Sequence, residues 1–222
     1  MYQGEVEGAH SMDFKHQRIL VVAPHTDDGE LGCGATIAKA LEAGAEVRYV
    51  AFSTAKESVP PGMPENILEI EVRQATQRLG IDPKNLYVFG YTVRKLNYMR
   101  QEVLEDLFRI RTEVNPTLVF IPSLRDVHQD HSTVAMEAVR AFKNHSVLCY
   151  ELPWNNIDFS NQCFSVVTKA HLERKVEALA TYKSQKMRKY MARDFVFGLA
   201  RTRGVQAGVE YAEVFEVVRW IM

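Results

Sequence analysis

Cysteine is scarce in this chain. Its 222 residues include only Cys33, Cys149 and Cys163, widely spaced and without a Cys-x-x-Cys pair. An odd, scattered set excludes a disulfide framework and fits a reducing, cytoplasmic setting. Long apolar runs are also missing: Ile19–Pro24 and Leu118–Pro122 fall far short of the roughly 20 residues that cross a bilayer. Neither sign of charge is in excess, with 27 Lys and Arg against 28 Asp and Glu for a net charge of −1. That balance argues against a protein that holds nucleic acid by neutralising many phosphates, and against a polybasic membrane anchor. There is no internal repeat, low-complexity tract or Pro/Gly/Ser linker. The polar residues 1–17 contain no apolar core of a secretory or transit signal. They read as a flexible leader before one domain over 18–222.

What is present is alternation. Runs rich in β-branched residues, Arg18–Ala23, Glu46–Phe52, Leu86–Phe89, Thr117–Ile121 and Val147–Glu151, are separated by helical patterns over Ala35–Ala43, Glu65–Leu79, Arg100–Val114 and His131–Phe142. In Arg100–Val114 the apolar stripe is Val103, Leu104, Leu107, Ile110 and Val114, and Pro116 closes it. Continuous hydrophobicity in the first and fourth strands points to burial on both faces. The order predicts an α/β fold, a Rossmann-like, doubly wound, mostly parallel sheet. After Glu151 the rhythm changes: a short strand near Phe164–Val167, helices at Lys169–Lys183 and Lys186–Arg203, and a strand Ala212–Val218 form a C-terminal elaboration.

Two polar clusters fall where strands should end. Pro24-His25-Thr26-Asp27-Asp28 follows the first strand, and His128-Gln129-Asp130-His131 follows the fourth, about a hundred residues later. With strand order 3-2-1-4-5 these strands are neighbours, and ligands bind at their carboxyl ends. Zinc enzymes often use three His or carboxylate ligands and leave a position for water. His25 and Asp28, three apart on a tight turn, can point the same way, and His131 can approach from the adjacent loop. Asp27 is then free to take a proton from water. His128 can donate to an oxyanion or a leaving nitrogen, with Asp130 fixing its tautomer. Metal, base and donor together describe hydrolysis of an amide or ester. Taken singly, such residues are more often caps or solvated loop groups, and Asp27 or Asp28 alone would serve as a helix cap. Zinc is the default metal, with iron or cobalt also suited to a His₂Asp set.

The motif Ala23-Pro24-His25-Thr26-Asp27-Asp28-Gly29-Glu30, the motif His128–His131, Tyr182-Lys183-Ser184-Gln185, and the tail Arg203-Gly204 through Tyr211–Phe215 together resemble the LmbE-like or PIG-L-type N-acetylglucosaminyl deacetylases. The resemblance runs through most of 18–218. It implies a Rossmann-like fold, a catalytic zinc on His25, Asp28 and His131, Asp27 as general base, and His128 supported by Asp130. It also implies removal of acetyl from a small-molecule N-acetylated sugar or glycoconjugate. Thr26 and Gly29 depart from the family's usual proline and glutamate. Leu68 stands where relatives often carry an arginine three residues before Glu71, which leaves Arg73 as a stand-in.

Further substrate contacts are expected from Arg94 and Lys95, whose loop opens toward the crevice and suits a carboxylate or phosphate, and from Trp154, which can stack on a sugar ring. A nucleotide-binding alternative fares poorly: Gly32-Cys33-Gly34 starts a G-x-G pattern, but Ile37 occupies the third glycine position. A metal-dependent hydrolase of a non-sugar N-acyl compound is the alternative that the residues exclude least. They also leave a homo-oligomer open.

Overall fold

A computed structural model describes residues 12–222. Its centre is a seven-stranded sheet in the order β3-β2-β1-β4-β5-β7-β6. The strands are β1 (Arg18–His25), β2 (Glu46–Ser53), β3 (Leu86–Val88), β4 (Leu118–Pro122), β5 (Ser146–Tyr150), β6 (Cys163–Val166) and β7 (Ala212–Arg219). The first five run parallel, and β7 pairs antiparallel with both β5 and β6. This is the doubly wound sheet expected from the alternation, extended at one edge by the C-terminal strands. Ile19, Val21 and Ala23 face one core and Leu20 and Val22 the other, so β1 is apolar throughout because it is covered on both sides.

One face carries α1 (Asp28–Glu42), α2 (Ile67–Leu79) and α5 (Lys169–Leu179). The other carries α3 (Arg100–Val114) and α4 (Gln129–Ala141), while α6 (Arg193–Ala207) packs against β7. The α3 stripe Val103, Leu104, Leu107, Ile110 and Val114 is buried as its spacing requires. Among the described residues no helix is long and apolar enough to cross a membrane. Cys33, Cys149 and Cys163 are unpaired.

Three expectations are corrected. Residues 12–17 are not a loose leader, since Phe14 is buried in the core; residues 1–11 lie outside the described residues. Helix α1 begins seven residues earlier than its apolar pattern indicated, at Asp28 rather than Ala35. Its glycines weaken the helical signal but permit close approach to the sheet. A Cβ on Gly29 would lie 2.5 Å from the Tyr49 ring, and one on Gly32 would lie 2.2 Å from the Tyr150 ring. Helix α1 breaks at Cys33 (φ −144°, ψ 24°), beyond which Ala35 and Thr36 donate their N–H groups to the Glu213 carboxylate. Finally, α5 stops at Leu179, and 180–192 run through two short 3₁₀ turns before α6.

The contact at Gly32 is a stability prediction. Gly32→Ala forces overpacking against Tyr150 and should cost about 1–3 kcal/mol, lowering the thermal midpoint by roughly 2–12 °C. Gly198→Ala, in open space inside α6, should hold or raise the midpoint. Thermal denaturation of the two variants checks both.

Candidate active site

The pairing of β1 with β4 sets the two sequence clusters side by side at the carboxyl ends of the strands, where the sheet reverses its winding. His25 is the last residue of β1 and Asp28 the first of α1. His128 is the N-cap of α4, and His131 lies in its first turn. Asp27 precedes α1 but makes no side-chain capping bond, so the local explanation for an aspartate at this position does not apply. Its carboxylate lines the cavity instead.

His25 Nδ1, Asp28 Oδ2 and His131 Nε2 form a triangle with sides of 3.3, 3.2 and 3.1 Å. Tetrahedral ligands about 2.0–2.1 Å from a zinc ion are separated by about 3.3 Å. Behind each imidazole stands a carboxylate. Asp130 Oδ2 is 2.9 Å from His25 Nε2, and Asp126 Oδ2 is 2.7 Å from His131 Nδ1. When those outer nitrogens carry the protons, the two inner nitrogens present lone pairs toward the Asp28 oxygen. Two imidazole nitrogens and a carboxylate oxygen at the separations of tetrahedral zinc ligands, each ring backed by a carboxylate, form a donor set that fits a metal ion. The imidazoles of His25, His128 and His131 also bring ligand atoms within 4.8 Å of one another and could hold a metal together.

Asp130 therefore partners His25, and not the His128 ring as expected from sequence. His128 Nδ1 accepts the Asp130 backbone N–H at 3.2 Å, which leaves Nε2 to carry the ring proton. Burial and the neighbouring His131 and His25 lower the His128 pKa and keep the ring neutral. Asp130 also accepts N–H bonds from Arg94, at 2.5 Å, and Leu96, at 3.2 Å. Asp126 was not singled out in the sequence, although it lies only five residues before His131.

Burial opposes ionisation of Asp28, but His131 and His25 hold its carboxyl well below the usual range. Burial likewise opposes charge on His131, but Asp28 and Asp126 outweigh it and raise the imidazole to about 10. The carboxylates that make this ring basic also strengthen it as a metal ligand. Burial, reinforced by Asp28, pushes the Asp27 carboxyl up to about 6. An acid so tuned accepts a proton more readily than an exposed aspartate.

Two buried acids brace the loops around this centre. Glu30 bonds the hydroxyls of Tyr49 and Tyr182, and both hydroxyls also donate toward the Thr26 carbonyl, at 3.0 and 2.7 Å. Glu71 accepts the Ser184 N–H at 3.0 Å and its hydroxyl at 2.5 Å. The second brace explains why the chain leaves α5 before Tyr182: a continuing helix could not deliver both Tyr182 and Ser184 to these acceptors.

The centre opens into a cavity of about 270 Å³, near the lower end of small-molecule sites. Leu68 and Val93 line one part, and Trp154, Asn155, Gln185, Arg188 and Tyr190 another. Trp154 is stacked on Tyr190 at 4.0 Å. The other expected substrate contacts lie elsewhere. Arg73 is exposed and paired with Glu69 at 2.8 Å. Lys95 lines a separate groove with Phe89 and Arg109. Arg94 serves through its backbone, held at φ 64° with its N–H on Asp130.

The chain is similar to proteins already described. Residues 20–142 match the family model described as PIG-L, GlcNAc-PI de-N-acetylase. The chain is 29% identical over 176 residues to the uncharacterized deacetylase YaiS of Escherichia coli K12, covering 77% of this chain and 92% of that one. Among solved structures it resembles the conserved protein TT1542 of Thermus thermophilus, with TM-score 0.78, 26% identity, and coverage of 93% and 96% of the two chains. It shares the fold of the N,N'-diacetylchitobiose deacetylase of Pyrococcus horikoshii, with TM-score 0.75, 20% identity, and coverage of 96% and 88%.

Glu30 supplies a pH prediction. Burial raises its carboxyl from near 4.5 to about 8, so between these values the folded chain holds a proton that the unfolded chain has released. Stability from this group is present below the lower value and is lost as pH rises through the higher one. In chelator-treated protein, Glu30→Gln should flatten the fall in thermal midpoint between about pH 5 and 8 relative to the parent.

Proposed function

Because the chain belongs to the PIG-L family of de-N-acetylases, we propose that it is a metal-dependent hydrolase that removes the acetyl group from an N-acetylated amino sugar or sugar conjugate. The observation that carries this reading is the triangle of His25, Asp28 and His131, with Asp130 and Asp126 behind its two imidazoles. In this assignment Asp28, not His128, completes the metal set. Its oxygen lies closest to both inner nitrogens, while the His128 ring remains available as a donor.

A divalent cation, zinc by default, supplies Lewis acidity toward the carbonyl oxygen and the attacking water when bound. Asp27 orients that water and accepts its proton. The neutral His128 donates from Nε2 to the oxygen that gains charge as water adds to the amide carbon. Asp27 then returns the proton to the leaving nitrogen as the C–N bond breaks, giving acetate and a free amine. Asp130 and Asp126 hold the ligand rings in orientation.

The Trp154–Tyr190 pair and the amide side chains of Asn155 and Gln185 support a carbohydrate, which offers an apolar ring face and hydroxyls. A non-sugar N-acyl compound is the second reading, supported by the apolar wall at Leu68 and Val93. The proposed location is cytoplasmic, consistent with the unpaired cysteines.

Metal analysis followed by acetate release from a panel of N-acetylated hexosaminides tests the proposal. Asp27→Asn should keep the metal and lose about 10²–10⁴ in turnover. His131→Ala should lose the metal, and Asp126→Asn should weaken metal affinity about 10- to 100-fold. Failure to bind any divalent metal would sink the mechanism. Metal binding with hydrolysis only of non-sugar amides would transfer it to the second reading.

A further inference from the structure

Asp27 stands at the N-cap of α1, the position from which an aspartate ordinarily accepts the N–H of the residue two or three further on. Its carboxylate makes no such bond and lines the reaction cavity. The Gly29 N–H, which it would otherwise take, goes to a tyrosine instead: Gly29 donates to Tyr49 Oη at 3.0 Å. That hydroxyl in turn donates toward the Thr26 carbonyl at 3.0 Å and is bonded to Glu30. A phenol oxygen both accepts and donates, so one atom satisfies the helix terminus and fixes the residue before Asp27.

Packing makes the exchange possible. Tyr49 pairs with Val21 across β2 and β1 and is fully buried. Its ring reaches the first turn of α1 because residue 29 has no side chain. A Cβ on Gly29 would lie 2.5 Å from the ring and 2.7 Å from the hydroxyl oxygen. Tyr182 supplies an internal comparison. Its hydroxyl meets the same Thr26 carbonyl, at 2.7 Å, and the same Glu30, at 3.1 Å. Among the described residues it accepts no N–H of α1, so the two tyrosines share every partner except the Gly29 amide.

An N-cap aspartate beside a free Gly29 N–H has two places to go. In the cavity it is desolvated and lies in the field of a like charge on Asp28. On the amide it gains a hydrogen bond and a favourable helix dipole. With the amide already taken, only the cavity remains. We propose that Tyr49 is a positioning residue for the general base: its hydroxyl caps α1 in place of Asp27 and so keeps the Asp27 carboxylate turned into the reaction cavity. The role of Asp27 as base rests on the deacetylase reading, whereas the exchange of caps does not.

Two double-mutant cycles test the proposal, one on stability and one on turnover. In chelator-treated protein, Asp27→Ala alone removes no cap and should hold or raise the thermal midpoint. In the Tyr49→Phe background Asp27 takes over the Gly29 N–H, so the same change should lower the midpoint by roughly 2–4 °C. In the Tyr182→Phe background it should again lower nothing. In metal-loaded protein acting on an N-acetylated hexosaminide, Tyr49→Phe should keep the metal and the KM of the parent and lose about 10- to 100-fold in kcat. That loss should vanish in the Asp27→Ala background. An equal midpoint change from Asp27→Ala with and without the Tyr49 hydroxyl would overturn the proposal. So would a parent-like kcat in Tyr49→Phe, or a loss that persists in the Asp27→Ala background. Release of the metal by Tyr49→Phe would overturn it too, because the hydroxyl would then act on Asp28 rather than on Asp27. If no hexosaminide is hydrolysed, the deacetylase reading fails for these sugars, and the stability cycle still decides which residue caps α1.

Discussion

The convergence of two imidazoles and a carboxylate on one small volume is the constraint around which this molecule is organised. An imidazole from the end of β1, a carboxylate from the first turn of α1 and a second imidazole from α4 converge to within 3.1–3.3 Å. They are held by the sheet, whose β1–β4 adjacency brings the two strand ends together, and by Asp130 and Asp126, which bond the far side of each ring. The arrangement gathers the candidate metal ligands at one point and leaves Asp27 and His128 beside it.

The surrounding polar network has a common logic. Asp130 gathers the His25 ring and the N–H groups of Arg94 and Leu96. Glu30 gathers two tyrosine hydroxyls, and Glu71 gathers Ser184. Each buried carboxyl joins segments far apart in sequence. Desolvating such a group is costly unless it is well bonded, so each joint stands in one arrangement and transmits that definition to the loop it holds. The loop 91–96 thus serves the site by its backbone, and its exposed charges are incidental to the cavity.

Much of this was legible in the sequence. Alternating apolar runs indicated the sheet and its order, because strands covered on both faces must be apolar throughout. The His and Asp clusters pointed to the candidate site because both fell at the ends of such strands, which the sheet sets side by side. The segment between α5 and α6 was misread as helix because its local pattern permits one. What overrides the pattern is a pair of tertiary bonds, from Tyr182 to Thr26 and from Ser184 to Glu71, which no local pattern encodes. Arg188 was hidden for the same reason: a cation in a basic stretch looks solvated until the fold lays it against the cavity. Arg94 and Lys95 posed the converse problem, since their loop meets the candidate site through the Arg94 backbone while Lys95 lines a separate groove. The early start of α1 was masked by glycines required for contact with Tyr49 and Tyr150.

The break in α1 at Cys33 couples parts of the molecule that lie far apart in sequence. The Ala35 and Thr36 amides exposed by the break bond a glutamate 178 and 177 residues further along, and Lys175 ties that glutamate to the Leu31 carbonyl at 2.7 Å on the other side of the break. Strand β7 and helix α5 therefore set the alignment of the first motif from far along the chain, so a change at Glu213 or Lys175 reaches the candidate site without touching it.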